Sequence, residues 1–330
     1  MNTAAPLLEI RDLSISYPAE QGEIVAVRQV DLDLAPGECL GVVGESGSGK
    51  TQLLLAAMGL SAAGATARGS LRFRGQQLLH RPAHELNRLR GRHIGMVFQD
   101  PMTALNPYMR VGRQITEGLR AHRDVTGTEA SRRVVQLLES LHLPDAAHRM
   151  QQYPHELSGG MRQRITIAMA LINEPELLLA DEPTTALDVT VQAQILNVFA
   201  DVRTRAGTAM VLVTHDLGVI AQLADRVAVM YAGQVVEQAP VQALFAQPLH
   251  PYTEGLKLAT PRLDAPRTAR MPGIAGSPPQ ASARPPGCVF AARCRYRLPV
   301  CQTVSPALLE RAPGHQVACH YDGPMNADRE

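Results

Sequence analysis

A short apolar run, Cys39–Val43, leads into a glycine-rich octapeptide and then into a second apolar segment, Leu53–Met58. The octapeptide has the pattern G-x-x-x-x-G-K-S/T and consists of Gly44, Glu45, Ser46, Gly47, Ser48, Gly49, Lys50 and Thr51. Glycines let the backbone turn so that several N–H groups point at phosphate oxygens, and a following helix N-terminus adds positive charge. The lysine reaches the β- and γ-phosphates, and the threonine hydroxyl ligates Mg²⁺. The segment therefore predicts a phosphate-binding loop between a strand and a helix, with a plain glycine-rich turn as the alternative.

Strands and helices alternate over the first 240 residues or so. Apolar runs rich in Val, Ile and Leu predict buried strands at Cys39–Val43, Ile94–Phe98, Leu177–Ala180, Ala209–Val213 and Arg226–Met230. Helical patterns lie between them, at Glu129–Leu141 and Asp188–Arg203. This alternation is typical of an α/β fold with a sheet covered on both faces. The stretch between Phe98 and Leu177 contains no convincing strand and is predicted to be a helical insertion.

The C-terminal part of the chain has a different composition. Most of the 24 prolines lie at Pro240 or later, and Arg262–Pro286 is rich in Pro, Ala and Arg without any period. Such a segment is typical of a linker or of an irregular stretch along the surface. We therefore predict a small irregular domain after the α/β part.

Charge and hydropathy limit the partners of the chain. The formal net charge is +1, with 45% hydrophobic and 19% charged residues, which is a globular profile that favours neither nucleic acid nor an anionic membrane. The most apolar stretch, Leu53–Ala67, is interrupted by Gly59, Ser61 and Gly64 and is too short to cross a bilayer. The N-terminus lacks the basic start and apolar run of a signal peptide. We expect the chain to stay in the cytosol or to dock on a membrane through other proteins.

A second site is indicated where a predicted strand ends in acidic residues. The run Leu177–Ala180 is followed by Asp181 and Glu182. An aspartate at this point of a nucleotide-binding protein holds Mg²⁺, and the next carboxylate can polarise an attacking water. Taken alone, Asp181 could equally be a helix N-cap and Glu182 a solvated turn residue. Together with the phosphate loop, the pair predicts a nucleoside triphosphatase.

A third motif places small residues ahead of an apolar helix. Ser158, Gly159 and Gly160 precede the predicted helix Ile165–Ile172, which makes a second helix N-terminus suited to an anion. Two such sites in one chain favour an arrangement in which each nucleotide lies between two subunits, and each subunit contributes one of the two sites. The alternative is an ordinary serine N-cap.

Four cysteines cluster near the C-terminus with the spacing C-x5-C-x6-C-x17-C, namely Cys288, Cys294, Cys301 and Cys319. In a reducing compartment, clustered thiols suggest a metal before they suggest disulfides. Four thiolates can hold a 4Fe–4S cluster, and the interleaved Arg293, Arg295 and Arg297 would ease its negative charge. Zinc, free thiols and disulfides remain alternatives, although the short C-x2-C zinc knuckle is absent. His315 and His320 are either substitute ligands or surface histidines, and Cys39 is expected to be a core residue.

These motifs together resemble the ATP-binding subunits of ABC transporters, and in particular those of the dipeptide, oligopeptide and nickel importers. LSGGMRQR is similar to the ABC signature, LLLADEPTTALD to the Walker B motif and D-loop, VLVTHD to the switch-histidine segment and VFQDPMTALNP to the Q-loop. The segment His250–Thr253, reading HPYT, then GIAGSPP and the cysteines are similar to the C-terminal extension of the peptide importers. The resemblance covers nearly the whole chain.

The resemblance implies binding of ATP and Mg²⁺. The phosphate-loop residues and Gln52 would bind ATP, and Tyr17 would stack on the adenine. Gln52 stands where the family often has a shorter polar residue, and we expect no functional effect from it. Thr51, Gln99 and Asp181 would position Mg²⁺ and water. The subgroup with this cysteine spacing is thought to carry a 4Fe–4S cluster, with zinc as the alternative here.

The resemblance also implies ATP hydrolysis in a head-to-tail dimer of ATP-binding subunits. Glu182 would be the general base, Gln99 would help position water, and His215 would contact the γ-phosphate. The D-loop would end at Asp188. The second ATP-contacting set, offered to the nucleotide of the partner subunit, would be Ser158, Gly159 and Gly160.

The expected architecture is an ABC-type P-loop cassette over residues 1–247, with a helical subdomain at about 100–175, and a C-terminal extension over residues 248–330. The expected partners are two transmembrane permeases, a second ATP-binding subunit and an extracytoplasmic binding protein, with no nucleic acid, at the cytoplasmic face of the cell membrane. Peptide import is the leading function, and nickel or glycoside import is the first alternative. A soluble ABC ATPase acting on DNA or ribosomes is a remote one, because no long coiled coil or tandem cassette is present.

Overall fold

The structure of the chain is a computed structural model that describes residues 5–20, 22–185, 187–260, 273–280 and 284–325. The strands are β1 (Leu8–Ala19), β2 (Gly22–Leu34), β3 (Cys39–Val43), β4 (Thr66–Phe73), β5 (Gln76–Gln77), β6 (Ile94–Val97), β7 (Leu177–Asp181), β8 (Ala209–Thr214), β9 (Arg226–Tyr231), β10 (Gln234–Pro240), β11 (Leu309–Ala312) and β12 (His315–Val317). The helices are α1 (Lys50–Ala57), α2 (Ala83–Leu89), α3 (Pro101–Ala104), α4 (Val111–Arg120), α5 (Gly127–Ser140), α6 (Ala146–Arg149), α7 (Gly159–Leu171), α8 (Val189–Ala206), α9 (Leu217–Leu223), α10 (Val241–Ala246) and α11 (Pro251–Ala259).

The chain divides into two compact units. The first comprises Met1–Leu8, Leu34–Cys39 and Phe73–Val213, and the second comprises Glu9–Asp33, Leu40–Arg72 and Thr214–Glu330. Each unit therefore consists of segments that are far apart in sequence.

In the first unit, three parallel strands lie in the order β8-β7-β6, with Leu177 of β7 between Ala209 and Ile94. All residues of β7 are buried, which explains the uninterrupted apolar sequence that precedes its last residue, Asp181. Because the strands are parallel, the residues that follow β6 and β7 emerge at the same edge of the sheet. Helices α3 to α7 connect β6 to β7 without any intervening strand, so the predicted helical insertion is confirmed.

In the second unit, β3 pairs in parallel with β9, and β9 pairs antiparallel with β10. β12 continues this sheet on β10 and β11 continues it on β12, both antiparallel. The strands β2, β1 and β4 are neighbours in a second sheet. The phosphate loop follows β3, which belongs to the sheet that contains β9 and β10.

All five predicted strands are present, with ends that differ by at most one residue. The C-terminal extension is small and largely irregular, as predicted, but it also contains the regular elements α11, β11 and β12, and the two strands pair with the sheet of the second unit. These strands have only three or four residues each, too few to show a pattern in the sequence. Among the helices of the described ranges, none is long and apolar enough to cross a membrane.

Candidate functional site

The phosphate loop joins β3 to α1, as the sequence predicts. Gly49 is the N-cap of α1 and has φ +99° and ψ 0°, a left-handed conformation that favours glycine. A Cβ atom at this position would lie 2.5 Å from the Ala26 carbonyl oxygen, and one at Gly44 would lie 2.1 Å from that of Met230. The two glycines are therefore required by both backbone angle and space. Of the other loop residues, Ser46 and Gly47 are exposed, Ser48 is buried and Thr51 is half-buried.

Lys50 is folded into this loop. Its Nζ atom donates to the carbonyl oxygens of Gly44 at 2.7 Å and Glu45 at 2.9 Å, and to Ser48 Oγ at 3.4 Å. Only 5% of Lys50 is exposed. A buried ammonium group surrounded by carbonyl oxygens can transfer its hydrogen bonds to phosphate oxygens when a nucleotide arrives.

Tyr17 of β1 and Gln52 of α1 are brought together, because the tyrosine hydroxyl donates to Gln52 Oε1. Tyr17 is partly exposed, and burial raises its pKa above the ordinary value, so the hydroxyl stays protonated at neutral pH. The aromatic ring predicted to contact adenine thus lies beside the first turn of α1.

The acidic site of the first unit is built around Glu182, which follows β7. Gln99 Nε2 donates to Glu182 Oε2 at 3.3 Å, and Thr185 Oγ1 donates to the same oxygen at 2.9 Å. The amide of Glu182 donates to the Val213 carbonyl at 2.9 Å, and its φ of +45° is uncommon for a residue with a side chain. Backbone strain of this kind is frequent at functional sites. Asp181, the last residue of β7, is 2% exposed.

The signature segment begins helix α7. Ser158 is the N-cap, and its Oγ accepts a hydrogen bond from the Met161 amide at 3.4 Å. Gly159 is exposed, whereas a Cβ atom at Gly160 would lie 3.1 Å from Val191 of α8. Asp188 is the N-cap of α8, where it accepts from the Val191 amide at 2.9 Å. The N-termini of α7 and α8 are therefore neighbours within the first unit.

His215 is exposed and lies between β8 and α9. The next residue, Asp216, caps α9 by accepting from the Gly218 amide at 2.7 Å, and its own amide donates to Thr214 Oγ1 at 3.0 Å. These bonds fix the backbone on the C-terminal side of His215.

The four C-terminal cysteines are all free thiols. Cys288 and Cys301 are buried, and the Cys288 amide donates to the Cys301 carbonyl at 2.9 Å. Burial raises the pKa of Cys294 to about 12, and the charges of the other three thiols add to this effect. The other three thiols are thus close enough to Cys294 to disfavour its ionisation, an effect that a bound cation would reverse. In the parts of the chain that the structure describes, no three Cys, His, Asp or Glu side chains have a metal-holding arrangement.

His315 is not a surface histidine. It is 4% exposed, and its Nε2 atom lies 2.7 Å from Oε1 of Glu237, a residue of β10 that is fully buried. The same carboxylate accepts from the Leu249 amide at 2.6 Å and from the His250 amide at 3.1 Å. His320 is half-buried, and its Nε2 atom lies 3.0 Å from the Val304 carbonyl oxygen. Glu237 was not indicated by the sequence, because a polar residue in a strand carries no local sign of burial.

Two of the interleaved arginines, which were expected to ease the negative charge of a bound cluster, instead form ion pairs with carboxylates. Arg293 forms a bidentate ion pair with Glu45 of the phosphate loop, at 2.8 and 3.0 Å. Arg295 pairs with Glu254 of α11 at 2.9 Å. Both arginines therefore have carboxylate partners outside the cysteine segment, and no local pattern in the sequence could have indicated the pairing over 248 residues.

The fold, the phosphate loop and the signature helix define an ATP-binding cassette of the ABC transporter class. The model of the ABC transporter family matches residues 27–185, and that of the oligopeptide/dipeptide transporter C-terminal region matches residues 236–301. The chain belongs to the family of oligopeptide-transport ATP-binding proteins. It is 48% identical over 316 residues to the oligopeptide transport ATP-binding protein OppD of Escherichia coli, covering 96% of this chain and 93% of that protein.

Two further comparisons agree with this assignment. A putative peptide import ATP-binding protein of Brucella abortus is 48% identical over 305 residues, covering 92% of each chain. Among solved structures, the ATP-binding cassette MJ0796, a dimer in a post-hydrolysis state bound to ADP and Pi, has a TM-score of 0.66 and 28% identity, covering 71% of this chain and 98% of that one. The α/β cassette fold is thus shared with a nucleotide-bound relative.

Proposed function

We propose that this chain is the ATP-hydrolysing subunit that energises the import of dipeptides or oligopeptides by an ABC transporter. The observation that carries the proposal is the presence, in one chain, of the Gly44–Thr51 phosphate loop and of the oligopeptide/dipeptide transporter C-terminal region. The identity of 48% with OppD, whose name describes oligopeptide transport, supports the choice of solute.

The nucleotide would be held by the phosphate loop, with Tyr17 and Gln52 near the adenine. Lys50 would leave the loop carbonyls for the β- and γ-phosphates, and Thr51 would ligate Mg²⁺ together with Gln99 and Asp181. Phosphoryl transfer depends mainly on positioning and charge neutralisation, which these groups supply.

Glu182 would act as general base. Its carboxylate already accepts hydrogen bonds from Gln99 and Thr185, so the side chain is held in one orientation for an attacking water. His215 would contact the γ-phosphate. The exposure of His215 supports this role, because its ring is accessible to a ligand.

The catalytic unit would be a head-to-tail dimer with a second ATP-binding subunit. Ser158, Gly159 and Gly160 at the start of α7 would contact the nucleotide held by the partner, and Asp188 would lie at the dimer boundary. The dimeric arrangement of the MJ0796 cassette supports this part of the proposal. We further propose a division into a cassette over residues 1–247, with a helical subdomain at about 100–175, and an extension over residues 248–330.

The cysteine quartet would hold a metal group, for which we propose a 4Fe–4S cluster, with zinc as the alternative. The ligands would be Cys288, Cys294, Cys301 and Cys319. The four free thiols and the backbone hydrogen bond that joins Cys288 to Cys301 support this proposal, and a bound metal group would clamp the extension together.

The remaining partners would be two transmembrane permeases and an extracytoplasmic binding protein, with the chain at the cytoplasmic face of the membrane. The test is to express a tagged Glu182→Gln variant in its native cell and to solubilise the membranes in MgATP. Mass spectrometry of the purified material should identify two polytopic permeases and a second ATP-binding subunit. Ribosomal proteins or DNA-repair factors without any permease would contradict the proposal, and a nickel- or glycoside-binding protein would contradict the peptide assignment.

A further inference from the structure

Glu45 is a phosphate-loop residue whose polar groups are largely engaged by the C-terminal part of the chain. Its amide donates to the hydroxyl oxygen of Tyr252, in α11, at 2.8 Å. Its two carboxylate oxygens accept from Arg293 at 2.8 and 3.0 Å. Its carbonyl oxygen accepts from Lys50 within the loop. The conformation of Glu45 is therefore fixed from both sides, by the loop lysine and by the extension.

Arg293 uses all five of its N–H donors in this arrangement. Besides the pair with Glu45, its Nε atom donates to the Ala275 carbonyl at 2.9 Å, and its terminal nitrogens donate to the Ile274 carbonyl and the Tyr231 hydroxyl, each at 3.2 Å. Only 6% of the Arg293 side chain is exposed. A lysine could replace the charge but not this planar set of donors.

The aromatic rings beneath the pair form a packed platform. Tyr231, Tyr252 and Phe290 contact one another with ring centroids 4.6 to 5.5 Å apart. The Arg293 guanidinium lies 5.7 Å from the Tyr231 ring centroid and 5.9 Å from that of Phe290. Tyr252 is fully buried, so its hydroxyl has a fixed position against the Glu45 amide. This platform holds both groups that contact Glu45.

A carboxylate in a phosphate-binding loop repels the ligand that the loop binds. The bidentate guanidinium compensates this charge, and a pair of this geometry in a largely buried setting is stronger than an exposed ion pair. Removal of Arg293 would leave the Glu45 charge uncompensated beside the phosphates and would free the start of the loop to move.

We propose that Arg293 and Tyr252 are positioning residues of the nucleotide site, through which the C-terminal extension fixes Glu45 and compensates its charge. The inference rests on the proposed function, because it requires that the loop binds a nucleotide. The predicted consequence is that the extension contributes to nucleotide affinity without contacting the nucleotide.

The test is the affinity of the full-length chain for MgADP, measured by calorimetry, in Arg293→Gln and in the matched control Arg295→Gln. Both arginines flank Cys294 and both have a carboxylate partner, so the two variants perturb the same segment. We expect Arg293→Gln to raise the Kd about tenfold, equivalent to about 1.4 kcal/mol, and Arg295→Gln to change it less than about twofold. The Arg293→Gln effect should decrease in high salt, because charge is its cause.

Two further variants separate positioning from general destabilisation. The double variant Glu45→Gln/Arg293→Gln removes both charges and should restore the Kd to within about threefold of wild type. Tyr252→Phe keeps the ring platform and loses only the hydroxyl, and it should raise the Kd about threefold even if Arg293→Gln does not fold.

Equal MgADP affinity in wild type, Arg293→Gln and Tyr252→Phe would overturn the inference and leave the proposed function intact. A double variant as weak as Arg293→Gln would also overturn it, because Arg293 would then not act through the Glu45 charge. If wild type itself did not bind MgADP, the proposed function would fail first.

Discussion

His250 makes the stability of the chain sensitive to mild acid. The residue is the N-cap of α11 and is 1% exposed, and its Nδ1 atom accepts a hydrogen bond from the Tyr252 amide at 3.0 Å. A ring nitrogen that accepts carries no proton, so the folded state requires neutral imidazole. Burial lowers the pKa of His250 from 6.5 to about 4, and the nearby Glu237 charge opposes this only in part.

The pKa of His250 is lower in the folded state, so the unfolded chain takes up a proton first as the pH falls. The contribution of His250 to stability is therefore constant above about pH 7 and decreases between pH 6.5 and 4. A fall in the pKa from 6.5 to about 4 corresponds to a total loss of about 3 kcal/mol, at about 1.36 kcal/mol per pKa unit. About 2 kcal/mol of this is lost by pH 5.

The assay is urea unfolding at pH 7.5 and pH 5 in wild type, His250→Asn and the control His84→Asn. Asparagine retains a side-chain N-cap acceptor but does not titrate, so His250→Asn should lose about 2 kcal/mol less than wild type between the two pH values. His84 is exposed in α2, and its variant should behave as wild type. Equal pH dependence in wild type and His250→Asn would show that His250 does not cause the loss of stability in mild acid.

Three further predictions concern the nucleotide site and the cysteines. Lys50→Ala should weaken MgATP binding at least about a hundredfold, whereas Lys257→Ala, which changes the other lysine of the chain, should bind as wild type; equal binding would remove Lys50 from the site. Glu182→Gln should retain MgATP affinity and lose at least about a hundredfold in turnover, and normal steady-state hydrolysis would exclude the general-base role. Anaerobic purification should give about four irons per chain, with less in Cys294→Ser, and stoichiometric zinc without iron would contradict the cluster assignment.

The strands that could be predicted from the sequence are those in which nearly all residues are both buried and apolar. β3, β7 and β8 are buried along their whole length, and each is an apolar run except for the last residue of β7 and of β8, Asp181 and Thr214. β1 and β2 mix buried and exposed positions, and their interspersed charged residues gave no such run. β10 contains the buried Glu237 and Gln238, polar residues that no hydrophobic pattern could assign to a core.

The candidate site also has a part that could be predicted from the sequence and a part that could not. The phosphate loop, Asp181, Glu182 and the signature serine lie in short local patterns whose chemistry depends on spacing, so the sequence was enough to propose them as site residues. The contacts of Arg293 and Tyr252 with Glu45 join segments more than 200 residues apart, so only the fold places them together. The cysteines were identifiable as a set, but their spacing does not determine which metal group they bind.

The proposed role of Glu182 in energising peptide import can be measured in the assembled transporter. The purified transporter containing this chain is reconstituted in proteoliposomes, and MgATP-dependent uptake of a labelled oligopeptide delivered by its binding protein is measured. Wild type should accumulate peptide only with MgATP, and Glu182→Gln should bind MgATP and accumulate none. ATP hydrolysis by wild type without any peptide uptake would contradict the role in peptide import, and unchanged uptake with Glu182→Gln would contradict the role of Glu182.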